Sequence, residues 1–261
     1  MVVNSAVQEA GGDSSSARVV AEIRERGGQA VAHVGPVASW SSAEELVGRA
    51  LEEYGRLDAL INNAGILRDR TLANLAEDEW DEVLDVHLKA QAATLHSAAA
   101  HWRDRHRAGD PVAAAVVNTS AGAGLFGNIG QANYAAAKAG VVALTLVASR
   151  ELERYGVRVN AVAPVARTRL TEGLGLPGEG SEYDPYDPDN AAPLVAYLVD
   201  EDCRLTGQVF NIQGGDVVLY EGWSQKELFR KDGKWSVDEL KVAMADLPAG
   251  PPLFAVPRLG E

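Results

Sequence analysis

A chain of 261 residues, 46% hydrophobic and 23% charged, has the length and composition of one α/β domain with a full core. Its 37 acidic against 24 basic side chains give a net charge of −13, which argues against nucleic acid or an anionic membrane surface as a partner. The one cysteine, Cys203, excludes an internal disulfide and fits a reducing, cytoplasmic setting, and no apolar run or signal-like N-terminus points to a membrane or to export.

Short β-branched runs alternate with longer helical patterns, the signature of a parallel sheet covered by helices. Val2-Val3 opens a strand. Residues 16–26 read as a helix stopped by Gly27-Gly28, and 30–34 as the next strand. Ser41 or Ser42 caps a helix to Tyr54, with Glu44 and Glu45 in its first turn. A buried strand over 57–61 ends in the turn Asn62-Asn63-Ala64-Gly65. Residues 77–106 read as one amphipathic helix, and the basic run 101–107 suits its C-terminal end. A strand over 113–118, a second long helix over 131–154, and strands over 157–162 and 209–212 follow. Residues 174–190, rich in Gly, Pro, Asp and Tyr, read as an irregular lid. The chain 1–261 reads as a single domain, in which 216–261 is a C-terminal extension with a short helix over 237–245 and a Pro-rich end.

Tyr134 and Lys138 lie one helical turn apart in Gln131-Ala-Asn-Tyr-Ala-Ala-Ala-Lys138, so their side chains share a face. With Asn62-Asn-Ala-Gly-Ile-Leu-Arg-Asp-Arg70, Gly127-Asn-Ile-Gly-Gln-Ala-Asn-Tyr134, Arg158-Val-Asn-Ala-Val-Ala-Pro164 and Thr206-Gly-Gln-Val-Phe-Asn-Ile-Gln-Gly-Gly215, the chain resembles the short-chain dehydrogenase/reductase family. Within it, the pattern is similar to the 3-hydroxyacyl-CoA and hydroxysteroid dehydrogenase branch found in multifunctional β-oxidation enzymes. The resemblance implies a Rossmann-like, doubly wound parallel sheet, with Tyr134 as general acid/base and Lys138 lowering the tyrosine pKa. His87 stands where most members carry a catalytic asparagine, and a neutral histidine there holds a water or relays a proton. The helices over 77–106 and 131–154 match the family's usual dimer interface.

The pattern also departs from the family. Its first strand and Thr-Gly-x-x-x-Gly-x-Gly turn, which aim backbone N–H groups and a helix N-terminus at a pyrophosphate, have no counterpart upstream of Asn62. The Gly11-Gly12 pair aligns with the family's second loop, and Asp13 beside it repels phosphate. Ser5 stands in place of the acid that binds the ribose hydroxyls, Gly35 in place of the aspartate at the adenine end, and Ala121 in place of the catalytic serine. Ser120 is adjacent, but an offset of one residue turns its side chain to the opposite face unless the backbone rearranges.

From these departures the expected sheet lacks its usual first strand. It closes with the Val2 strand beside 57–61 or takes up a segment of another chain, because unpaired buried backbone is costly. No nicotinamide cofactor and no metal are expected. The expected function is a cofactor-independent enzyme that acts on a small-molecule substrate through acid/base chemistry at Tyr134 and Lys138, with His87 and Ser120 as further site residues. Two alternatives are a catalytically silent subunit beside an intact short-chain dehydrogenase, and an NAD(P)-dependent oxidoreductase on a hydroxyacyl-CoA or steroid-like substrate. A homo-oligomer or hetero-oligomer is expected in each case.

Overall fold

The structure is a computed structural model that describes residues 1–6, 14–171, 176, 183–223 and 228–247. The Gly11-Gly12-Asp13 segment, residues 174, 175 and 177–182 of the expected lid, and the Pro-rich end lie outside the described residues. In chain order the elements are β1 (Val2–Ser5), α1 (Ser15–Glu25), β2 (Val31–Val34), α2 (Trp40–Tyr54), β3 (Ala59–Asn62) and α3 (Glu77–Leu84). A π-helical turn, Asp85–Lys89, leads into α4 (Ala90–Arg107), followed by β4 (Ala114–Thr119), α5 (Gly122–Phe126), α6 (Ala132–Leu152) and β5 (Val157–Pro164). The chain continues with α7 (Ala192–Val199), β6 (Val209–Gln213), β7 (Asp216–Tyr220) and α8 (Val237–Ala243).

The expected Rossmann-like α/β architecture is present. Strands β3-β4-β5-β6-β7 form one sheet in that order, parallel from β3 to β6 with β7 antiparallel at the edge. Strands β4 and β5 lie at its centre and are apolar almost throughout, as strands covered on both faces require. Alternation sends successive residues to opposite layers. Val116, Val157 and Val159 pack with Leu95, Trp102 and Leu152, while Val117 and Val162 pack with Leu194, Leu198 and Phe210. The indole N–H of Trp102 donates to the Leu57 carbonyl at 2.7 Å and ties α4 to the entry of β3.

The sheet does not close. Strands β1 and β2 pair in parallel as a separate two-stranded sheet, and β1 has no ladder to β3 among the described residues. The helical layer accounts for this: α2 packs along α4, and the Tyr54 hydroxyl donates to the Met1 carbonyl at 3.2 Å, which fixes the β1/β2 pair to α2. The outer edge of β3 therefore keeps Ile61 46% exposed.

Several other expectations change. Ser39, not Ser41 or Ser42, caps α2: its hydroxyl accepts from the Ser42 N–H at 3.1 Å. The helix expected over 77–106 is α3 and α4 with the π-helical turn between them. The segment expected as an extension from 216 opens with β7, a strand of the main sheet. By length and composition α6 with its following turn is apolar enough to span a membrane, contrary to expectation. It is instead a core helix whose Ala137, Val141, Ala148 and Leu152 are buried.

Candidate active site

The carboxyl ends of β3, β4 and β5 converge where α6 begins. Asn133, fully buried, organises this corner. Its side-chain amide donates to the carbonyls of Arg68 (3.0 Å) and Glu79 (3.1 Å), and its Oδ1 accepts from the Tyr134 N–H at 2.8 Å. Gln131 donates to Asp69 at 2.9 Å, and Arg68 and Arg70 pair with Glu82 and Glu79 of α3. The loop after Gly65 is thereby pinned across the N-terminal end of α6.

Tyr134 and Lys138 face the sheet from the first turns of α6, as the four-residue spacing requires. Lys138 is 2% exposed, and its Nζ donates to the Thr119 carbonyl at the end of β4 (2.6 Å), 5.6 Å from the Tyr134 ring centroid. Burial pushes the lysine down to about 7, so it carries roughly half a charge at neutral pH. Burial, reinforced by Asp69, pushes Tyr134 up to about 12. The expectation that Lys138 lowers the tyrosine pKa is therefore corrected. The ammonium is held on a backbone carbonyl, and desolvation of the phenolate dominates.

The π-helical turn carries His87 into the site. Such turns insert one extra residue and re-aim side chains. His87 is 1% exposed, and its ring stands edge-on to that of Tyr134 at 5.0 Å between centroids. Its Nε2 lies 2.8 Å from the Ile66 carbonyl and 3.1 Å from the Ile66 N–H. Burial first and the Lys138 cation second push it down to about 4, against the backbone contact, so it is neutral at physiological pH. Gly65 is required here: a Cβ at that position lies 2.7 Å from His87 Cε1.

Ser120 does not join this group. Its hydroxyl is buried and donates to the main-chain carbonyl of Lys138 at 2.9 Å, so it fastens β4 to α6. Its one-residue offset from the family position is not undone by a local rearrangement. Gly124 instead brings α5 against the Lys138 backbone, where a Cβ lies 2.6 Å away. Ala121 occupies the N-cap of α5. Asn133, Asp69 and Gln91 escaped sequence reasoning. The first two sit inside the quoted motifs and show their roles only once the loop is folded.

The residues present match a nicotinamide nucleotide in one half. The Asn-Asn-Ala-Gly turn follows β3, Thr119 closes β4, and Lys138 keeps two N–H donors beyond its bond to Thr119 for ribose hydroxyls. At the other half, the Ser5 hydroxyl lies 2.9 Å from Ser16, which lies 2.8 Å from Ser14. This cluster is neutral, and among the described residues it brings no carboxylate to the end of β1. Among the described residues no group of three His, Cys, Asp or Glu side chains is placed to hold a metal ion.

A sequence profile of the short chain dehydrogenase family matches residues 6–174. Hydroxyacyl-CoA dehydrogenase ChsB1 of Mycobacterium tuberculosis is 42% identical over 231 residues, covering 86% of this chain and 73% of that protein. The peroxisomal hydratase-dehydrogenase-epimerase of Saccharomyces cerevisiae is 37% identical over 82% of this chain and 23% of its own length. A crystal structure of a short chain dehydrogenase from Mycobacterium avium superposes with a TM-score of 0.86 at 45% identity, covering 94% of this chain and 85% of that one. A chain with this fold, this Tyr-Lys pair and these relatives belongs to the short-chain dehydrogenase/reductase family.

The relatives overturn the expected cofactor-independent function. Proteins that match most of this chain are named dehydrogenases, and the reading they support is the oxidoreductase that stood as an alternative.

Proposed function

We propose that the chain is an NAD(P)-dependent oxidoreductase that interconverts a secondary alcohol and a ketone on a hydroxyacyl thioester. The observation that carries this reading is the half-buried Tyr134 beside the buried Lys138 at the carboxyl edge of β4, in a chain 42% identical to a hydroxyacyl-CoA dehydrogenase. The bound nicotinamide supplies the hydride in reduction and accepts it in oxidation.

The chain's own residues manage the proton and the geometry. Tyr134, held protonated by burial, donates its phenolic proton to the substrate oxygen as negative charge develops there, and takes it back in oxidation. Lys138 presents its free N–H donors to the cofactor ribose and its charge to the tyrosine oxygen, an effect that strengthens as the closed site excludes water. His87, neutral and edge-on to Tyr134, sets one wall of the site and fixes the ring. Ser120 acts from behind, through the backbone of Lys138. Substrate and cofactor are small molecules, self-association follows the family habit, and the free, buried Cys203 suits a reducing cytoplasm.

The test is a titration with NADH and NADPH, read by energy transfer from the tryptophans. Saturable binding in the micromolar range supports the reading. No binding of either nucleotide at millimolar concentration overturns it.

A further inference from the structure

On the α7 face of the sheet, away from α6, a cleft of about 510 Å³ opens between α7, the turn over 183–190 and the β6–β7 hairpin. None of Tyr134, Lys138, His87 or Thr119 lines it. Its volume is in the usual range for a small-molecule site. The floor is apolar, since Leu194 and Ile212 belong to the buried layer between the sheet and α7. The hairpin makes the room. Gly214 and Gly215 join β6 to β7 directly, Gly214 has φ of +55°, and a Cβ there would lie 2.7 Å from the Tyr183 hydroxyl. The glycine turn therefore lets the segment around Tyr183 close one end of the cleft.

The walls and rim carry one kind of chemistry. Pro193 and Tyr197 are four residues apart on α7 and share its outer face, while Leu194 and Leu198 turn to the core. Tyr197 is 51% exposed, and its ring and that of Tyr183 line the cleft. Asp187 caps the 3₁₀ turn over Pro188–Ala191 with one carboxylate oxygen, which accepts from the Asp189 N–H at 2.9 Å. Among the described residues neither Asp187 nor Asp189 is paired with a cation. Arg167, the cation nearest in this segment, is taken by Asp184 at 3.2 Å. Among the described residues no lysine, arginine or histidine lines the cleft.

We propose that this cleft binds a small organic cation with an apolar body, of the alkylammonium class, at a site separate from the catalytic one. The apolar chain lies over Leu194, Ile212 and Val217, the last of which is otherwise 52% exposed. The cationic head sits against the Tyr197 ring, whose face attracts weakly hydrated ammonium groups, and within the field of Asp187 and Asp189. The net charge of −13 adds a general attraction for cations. The same carboxylates repel anions. A nucleotide or a coenzyme A thioester, the partners proposed for the catalytic site, therefore does not suit this cleft. A bare metal ion is no better match, because among the described residues no group of three His, Cys, Asp or Glu side chains is placed to hold one.

The test is calorimetric titration with hexyltrimethylammonium, and with hexanol and hexanoate as its neutral and anionic counterparts. The wild type should bind the cation saturably with a Kd below about 1 mM, and the other two at least about tenfold more weakly. Tyr197→Ala should weaken the cation by about tenfold. Asp187→Asn combined with Asp189→Asn should do the same by about tenfold, and asparagine keeps an acceptor for the turn. Gly215→Leu blocks the cleft from the other side: a Cβ at 215 meets the Tyr183 hydroxyl at 3.7 Å, an ordinary contact, so the side chain fits and should abolish binding. Hexanol or hexanoate binding as tightly as the cation, no saturation by about 10 mM cation, or wild-type affinity in all three variants overturns the proposal. Binding needs no turnover, so an inactive enzyme would count against the oxidoreductase reading alone.

Discussion

Replacing Lys138 by methionine should make the protein more stable, and by an amount that depends on pH. Burial moves the lysine from its ordinary 10.5 to about 7, and each pH unit corresponds to about 1.4 kcal/mol. The unfolded chain carries this proton at every pH below about 10.5, whereas the folded chain binds it only below about 7. Folding therefore carries no penalty above the first value, a growing one as pH falls, and a constant one below the second. At pH 7 the penalty is about 4 kcal/mol, and near pH 9.5 it is about 1 kcal/mol. Methionine keeps most of the side-chain volume but gives up the bond to the Thr119 carbonyl, which is worth about 1 kcal/mol. The variant should therefore gain about 3 kcal/mol at pH 7 and almost nothing at pH 9.5. Urea denaturation at the two pH values measures the difference. A stability difference that is the same at both would show that Lys138 is not held against desolvation. Such a group is retained for function rather than for stability.

Two further perturbations probe the same corner. Gly65→Ala places a methyl group 2.7 Å from the enclosed His87 ring, so it should cost about 1–3 kcal/mol in thermal unfolding and shift the His87 side-chain resonances. An unchanged melting temperature would mean that the ring has room to move. Ser120→Ala removes a bond to the Lys138 carbonyl and should cost about 1–2 kcal/mol of stability while changing kcat by less than about tenfold, far below the loss expected for a proton donor. A loss of several thousandfold would restore Ser120 to the chemistry.

The Tyr-Lys pair was legible because four-residue spacing on a helix is a geometric statement, and the basic run closes α4 at Arg107 as the dipole argument requires. The π-helical turn was not, since apolar periodicity changes little when one residue is inserted, yet that turn presents His87. Gln91 reads as a surface residue in a helix of mixed composition, and its burial follows from α4 packing under the end of β4. Three serines near Trp40 each qualify as a cap, and local preference cannot choose among them. Strand β7 follows β6 after a tight glycine turn, with Val217 and Leu219 exposed, so it lacked the buried run that marks its neighbours. The expectation that β1 would slide against β3 weighed unpaired backbone but not the helical layer that holds β1 and β2 apart.

The most direct measurement is oxidation of NADH or NADPH at 340 nm in the presence of a β-ketoacyl-CoA such as acetoacetyl-CoA, for the wild type and for Tyr134→Phe. The account predicts steady turnover by the wild type and a fall of about 10²–10⁴-fold in the variant, with nucleotide affinity kept. Undiminished turnover in Tyr134→Phe, or a wild type that binds nucleotide but reduces no ketoacyl thioester, would contradict it.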